Sequence, residues 1–171
     1  MPKIGAKTYL PDEKLRQTAL NLLTYRGRSC AELRDRLLAK GFGAAEVDVL
    51  IGRFIEVRLL DDRRFALDLA HYHRRTHPLG SYGLERALRT KGIDAELAKE
   101  ITAAELPLEI EVELAREVIK RLLNQRLDFK SKYKRAMGLL GRRGFSTHAI
   151  NKVQAILLKN KEFDEFPEEA E

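Results

Sequence analysis

One short signature is written three times in this chain, as Leu37-x-x-Lys40-Gly41-Phe42, Leu88-x-x-Lys91-Gly92-Ile93 and Leu140-x-x-Arg143-Gly144-Phe145. Its glycines lie 51 and 52 residues apart. Self-similarity at a fixed period of this size belongs to repeat architectures, in which each unit buries its apolar face against a neighbour, rather than to one closed core. Each copy reads as a helix end followed by a helix start, because glycine enters the left-handed conformation that closes a helix at no steric cost. Phe42 with Leu37, Ile93 with Leu88 and Phe145 with Leu140 supply the apolar pair that accompanies a Schellman ending. Lys40, Lys91 and Arg143 place a cation beside the last free carbonyls, and Gly43, Asp94 and Ser146 are suitable N-caps for a following helix. Capping alone accounts for most of the signature.

Apolar spacing predicts three helices per copy. In the first copy Leu15, Ala19, Leu22 and Leu23 form one stripe, and Arg26-Gly27-Arg28 interrupts it before Ser29-Cys30-Ala31-Glu32 opens the next helix with a capping box. Leu33 and Leu37 continue the buried face of that helix. Val47, Leu50, Ile51, Phe54 and Ile55 then mark a third helix, expected to end near Leu59. The second copy runs through Phe65, Ala66, Leu69, Ala70 and His73, is punctuated by Pro78 and Gly80, and resumes with Leu84 and Leu88, then Leu97, Ala98 and Ile101 up to Pro107. The third carries Val112, Ala115, Val118, Ile119, Leu122 and Leu123, then Tyr133, Ala136 and Leu140, then Ile150, Val153 and Leu157. The expected fold is all-α: an elongated right-handed array of three tandem three-helix repeats at 12–60, 61–106 and 107–160. A flexible N-terminus (1–11) and an acidic C-terminal tail (161–171) flank it.

A chain of 171 residues with 44% hydrophobic and 34% charged residues suits a compact water-soluble protein. The first residues are basic but lack the apolar run of a signal peptide, and no segment approaches eighteen uninterrupted apolar residues. Cys30, the single cysteine, has no internal disulfide partner, so a reducing, cytoplasmic setting is expected. Beside the cap at Ser29 a thiol pKa could fall, yet no His or Cys motif surrounds it and a small apolar helix residue is the better reading.

In their order and spacing, the segments Tyr25-Arg26-Gly27-Arg28-Ser29-x-x-Glu32-Leu33, Leu60-Asp61-Asp62-x-x-Phe65-Ala66, Gly80-x-x-x-Leu84-x-x-x-Leu88-x-x-Lys91-Gly92-Ile93 and Leu139-Leu140-x-x-Arg143-Gly144-Phe145 resemble the RecX family of recombinase regulators. The resemblance spans residues 14 to 158. Ser81-Tyr82-Gly83 stands where that family commonly has a proline and a basic residue, and Ala136-Met137 where a larger apolar pair is usual. What the resemblance implies is a cytoplasmic protein, active in DNA repair, recombination and the SOS response, that binds RecA recombinase filaments along their groove. Such a protein interferes with ATP hydrolysis, strand exchange and filament growth.

Charge is compatible with such a partner. The chain is +6 overall, and the excess concentrates in residues 118–161, where twelve Lys and Arg face only Asp128. The last ten residues carry six carboxylates. Candidate anchors are Arg26, Arg28, Arg34, Arg53 and Arg58 in the first repeat, Arg74, Arg75, Arg86 and Arg89 in the second, and Arg135, Arg142 and Arg143 in the third. Arginine is preferred because its planar fork pairs with carboxylate and phosphate. The expected partner is a RecA filament met by a monomer, with weak non-specific DNA binding as a subsidiary activity and no membrane involvement. A rival reading is a helical repeat protein that binds DNA non-specifically and competes with recombinase for it. Phe129 and Tyr133 lie among the cations and could stack on a base, although their spacing fits core packing better. Sequence-specific readout is disfavoured, since the helix carrying Arg86, Arg89 and Lys91 has no Asn or Gln. The acidic tail could fold back on the basic third repeat.

Enzymatic chemistry finds little footing. Asp61-Asp62 suits capping of a helix start better than acid–base work. His73 and His77 are four apart, but no HExxH pattern is present and Pro78 ends the helix beside them. There is no P-loop. No catalytic residue, metal or cofactor is expected, and any effect on ATP turnover must act through the partner.

Overall fold

The computed structural model describes residues 12–123 and 128–164. The N-terminal segment, Arg126 and most of the acidic tail lie outside the described residues. Among those described, nine helices and no strand are present: α1 (Glu13–Tyr25), α2 (Cys30–Ala39), α3 (Ala44–Glu56), α4 (Asp62–Thr76), α5 (Ser81–Thr90), α6 (Ala95–Glu105), α7 (Leu108–Leu123), α8 (Phe129–Arg142) and α9 (Thr147–Asp164). None is long and apolar enough to cross a membrane.

Local chemistry sets the helix ends. Gly41, Gly92 and Gly144 have φ of 89°, 78° and 71°, the left-handed region that only glycine enters freely. At two of them the Schellman bonds are made, Phe42 N–H to Leu37 C=O at 3.3 Å and Phe145 N–H to Leu140 C=O at 3.1 Å. Asp94 accepts from the N–H groups of Glu96 and Leu97, and Ser146 Oγ from that of Ala149. Asp61 accepts from Arg64 N–H and caps its own helix, as its position predicts. The end of α3 comes earlier than Leu59. Arg58 takes φ 57° there, and the N–H groups of Leu59 and Leu60 turn back to the Phe54 carbonyl, which tucks Leu60 into the core at 3% exposure.

The chain divides into two compact units, one of residues 1–65 with Lys91–Ile93, the other of 66–90 with 94–171. In the first unit Leu15, Ala19, Leu33, Leu37, Val47, Leu50 and Phe54 of α1, α2 and α3 form a buried cluster. Each fully buried Leu there contributes about 1.5–3 kcal/mol. In the second unit α7 packs on both α8 and α9, and Ala115, Ile119, Ala136, Leu140, Phe145 and Val153 close the core between them. Phe129 and Tyr133 lie outside that cluster, contrary to the core reading. Both are half-buried and their rings stack on each other at 6.1 Å.

Two of the three signature glycines do more than cap. A Cβ on Gly92 would stand 2.4 Å from Ala31 Cβ, and one on Gly144 2.3 Å from the Gly83 nitrogen, whereas Gly41 has nothing within 4 Å. In the first unit the Ser29 hydroxyl donates to the Lys91 carbonyl while accepting from Glu32 N–H, and Asp62 accepts from the N–H of Cys30, the first residue of α2. In the second unit Gly80 N–H donates to the Arg143 carbonyl and Gly83 N–H to that of Gly144, both at 3.1 Å. Glu111, buried at 2% exposure, completes the joint: Oε1 accepts from the N–H groups of Ser81 and Ser146 at 2.8 Å each, and Oε2 from the Ser146 hydroxyl at 2.7 Å. One carboxylate thus answers the positive starts of two helices, α5 and α9.

A methyl group at position 83 would meet the Arg143 carbonyl oxygen at 2.1 Å, while Gly52, inside α3, has open space around its Cβ direction. Gly83→Ala is therefore expected to cost about 2–3 kcal/mol through backbone displacement, and Gly52→Ala to add roughly 0.5–1 kcal/mol through helix propensity. Denaturant unfolding of the two variants beside the parent chain measures both.

Candidate partner-binding surfaces

In the first unit the expected anchors organise around one carboxylate. Arg26 reaches Glu32 with both terminal nitrogens, Arg28 Nη1 donates to Oε1 at 2.6 Å, and Arg36 Nε donates to the same oxygen at 3.1 Å. The capping box expected at Ser29 is thus half made: Ser29 caps Glu32, while the Glu32 side chain serves arginines instead of turning back. Arg28 is only 6% exposed, and its Nε donates to the Leu22 carbonyl at 3.1 Å, so its guanidinium holds the α1–α2 corner together instead of facing a partner. Arg26 keeps an exposed edge. Arg34 pairs bidentately with Asp48 at 2.6 and 3.2 Å, a hydrogen-bonded contact that lowers the Asp48 pKa and raises that of Arg34. Arg53 is half-buried, and Arg58 is exposed on the turn after α3.

In the second unit Arg74, Arg75, Arg86, Arg89, Arg135 and Arg142 are all exposed. Arg143 is half-buried and donates to the Pro78 carbonyl at 3.3 Å. Arg74 and Arg75, at the end of α4, stand with Arg116 and Lys120 around an apolar groove of about 770 Å³ lined by Leu114, Leu123, Ile156 and Leu157. On α8, Lys134, Arg135 and Arg142 flank a second cleft whose floor is Leu122, Gly138 and Leu139. Both carry cations beside apolar surface, a combination that takes an anionic, partly apolar protein segment as readily as a polyanion. Arg116 escaped the sequence reading, and Lys120 entered it only as one of the twelve cations of residues 118–161, because their spacing on α7 is that of any solvated face; the sign that could have marked them is the adjacent half-buried Leu114 and Leu123.

The residues weighed for chemistry have structural places. Burial and the Asp62 carboxylate push the Cys30 thiol up to about 12, which leaves it protonated and unreactive at neutral pH. His73 Nδ1 is buried with no hydrogen-bond partner, His77 lies beyond the end of α4, and no cluster of metal-binding side chains occurs among the described residues.

Burial would raise the Glu32 pKa, but hydrogen bonds from Arg26, Arg36 and Arg28, with the Arg26 charge, hold it at about 2 against an ordinary 4.5. A carboxyl whose folded pKa lies below its unfolded value stabilises above the unfolded value and loses that contribution as pH falls through the folded one. The parent chain is therefore expected to lose about 2 kcal/mol relative to Glu32→Gln between pH 5 and pH 2. Urea unfolding of the pair across that range checks it.

Comparison with known proteins places this chain in a family. The model of the first RecX three-helix domain matches residues 16–54, and that of the second matches residues 61–100. The chain is 31% identical over 135 residues to the regulatory protein RecX of Amycolatopsis mediterranei, covering 78% of this chain and 77% of that protein. It is 33% identical over 138 residues to the regulatory protein RecX of Streptomyces lividans, covering 80% and 73%. Among solved structures, RecX from Lactobacillus salivarius superposes with a TM-score of 0.76 at 23% identity, covering 84% of this chain and 94% of that one. A second crystal structure, of a regulatory protein RecX, gives 0.73 at 19% identity over 83% and 72%. With both three-helix domains matched and about a third of its residues identical across some four fifths of its length, the chain belongs to the RecX family of regulatory, non-enzymatic proteins.

Proposed function

We propose that this chain docks on RecA recombinase filaments in the cytoplasm and restrains them, slowing ATP hydrolysis, strand exchange and filament growth. The observation that carries the reading is similarity to proteins named regulatory protein RecX over about 80% of the chain. The surface chemistry supports it. Exposed guanidinium groups at Arg58, Arg74, Arg75, Arg86, Arg89, Arg135 and Arg142 are dispersed over both units. Such an arrangement suits several modest contacts made at once, which raise avidity without one strong site. Because the sequence lacks a P-loop, the chain acts on nucleotide turnover by biasing the recombinase. Arg28 is withdrawn from the docking set by its burial, and the remaining expected anchors are kept.

A second reading, non-specific DNA binding that competes with recombinase, is favoured by the cation-rich α8 cleft. Salt separates the two, since a purely phosphate-driven interaction weakens steeply by about 0.2 M salt.

RecA-dependent ATP hydrolysis on single-stranded DNA, measured against chain concentration at about 0.2 M salt, is expected to fall with the parent chain. Arg86→Ala with Arg89→Ala should need about tenfold more protein for the same inhibition, a loss of about 1.4 kcal/mol, with an unchanged melting temperature. Arg28→Ala should instead lower the melting temperature. Retention of the chain on naked DNA but not on filaments overturns the proposal.

A further inference from the structure

The arginine cluster around Glu32 in the first unit holds more positive charge than its carboxylate neutralises. Three guanidinium groups meet there, from Arg26, from Arg28 at 2.6 Å and from Arg36 at 3.1 Å. Glu32 Oε1 accepts from all three and Oε2 from Arg26 again, which fills the roughly four lone-pair sites of a carboxylate. Two positive charges of the cluster are left over. Burial divides the arginines by role: the Arg28 side chain is 4% exposed, whereas those of Arg26 and Arg36 are 38% and 51% exposed. Arg36 meets Glu32 through Nε, so its Nη donors are not spent on that carboxylate. Directly before Arg26 in the chain stands Tyr25, 85% exposed and outside the buried cluster of its unit. Surplus guanidinium charge beside an open aromatic ring is the pairing that single-stranded nucleic acid uses, phosphate on the cations and base on the ring. An acidic protein segment would engage the charge and leave the ring idle. We propose that Tyr25, Arg26 and Arg36 form a single-stranded nucleic acid site, in which a backbone phosphate bridges Arg26 and Arg36 and a neighbouring base stacks on Tyr25.

Glu32 and Arg28 act as positioning residues in this site. With its pKa held at about 2, Glu32 stays ionised at neutral pH and keeps together guanidinium groups that would otherwise repel one another. Arg26 is further fixed by its bond to the Gly27 carbonyl at 2.9 Å, so little side-chain freedom remains to be lost when a phosphate arrives. Contacts to phosphate and to the flat face of a base carry no hydrogen-bond readout, and the site is therefore tolerant of sequence. It belongs to the first unit, whereas the cation-rich α8 cleft belongs to the second, and it stands whether or not the chain docks on recombinase.

Photo-cross-linking of the full chain to oligothymidylate carrying 5-iodouracil, with mapping of the joined peptide, tests the placement without any recombinase. The expected product is a link at Tyr25 that falls several-fold in Arg36→Gln. Links confined to Phe129, Tyr133 or other residues of the second unit, or no link at all, overturn the proposal. A second readout is the anisotropy of labelled oligothymidylate against NaCl concentration, in a chain that also carries Lys134→Gln and Arg142→Gln to weaken the α8 cleft. There Tyr25→Ala should weaken binding about five- to tenfold and leave the salt dependence unchanged, because stacking releases no counterion. Arg36→Gln should lower the slope of log affinity against log salt by about 0.7, the share of one phosphate contact on a single strand. Tyr25 is so exposed that its replacement leaves the fold intact, which keeps the test valid should Arg36→Gln unsettle the cluster. Unchanged affinity in Tyr25→Ala overturns the proposal. Displacement of the oligothymidylate by oligoglutamate of equal charge, as effective as by unlabelled oligothymidylate, also overturns it and identifies an acidic protein segment as the ligand.

Discussion

The structure depends on backbone approaching backbone at glycine turns, closer than any side chain allows. In the second unit the Arg143–Gly144 peptides lie directly on Gly80 and Gly83, and in the first unit Gly92 lies on Ala31. Contact this close takes backbone donors away from water, and each must find an acceptor. Glu111 solves the problem for α5 and α9 together, and Asp62 with Ser29 does so at the start of α2. The same solution recurs with different residues, since Asp62 and Glu111 each stand four positions before a fully buried alanine, Ala66 and Ala115. A carboxylate at this place in a first helix secures the N-terminus of an earlier second helix.

These joints explain why a chain this rich in charge keeps its arginines apart by role. Arg28 spends its donors inside the α1–α2 corner, and Arg143 lends one to the Pro78 carbonyl. Exposed members such as Arg86 and Arg142 lie on helix faces turned away from the buried clusters. Sequence alone lists all of them as equivalent cations. Burial distinguishes them, and it is the burial pattern that separates a residue holding the fold from one able to meet a partner.

Much of the architecture was legible because its causes are local. The stripe Val47, Leu50, Ile51, Phe54, the glycine endings and the caps at Asp61 and Asp94 all act within one or two helical turns, where spacing reports the physics directly. What escaped acts across the chain. Glu111 looks like one more acidic residue at a helix start, and only its meeting with Ser81 and Ser146, 30 and 35 residues away, reveals it as a buried cap. The added duty of Gly92 and Gly144 escaped for the same reason, since capping already accounted for their presence. Phe129 and Tyr133 have the spacing of a core pair but spend it on each other. The α7–α9 groove had no signature either, because its walls are two stretches separated by an intervening helix.

Arg58 shows a conflict that the fold leaves standing. It is the one non-glycine residue with positive φ among those described, at 57°, a conformation that costs an ordinary side chain on the order of 1 kcal/mol. Glycine or asparagine would hold that turn with less strain and would surrender the charge. Optimising this position for durability alone would therefore remove one of the exposed guanidinium groups proposed above as anchors, so the most relaxed form of this turn and the proposed docking role exclude each other.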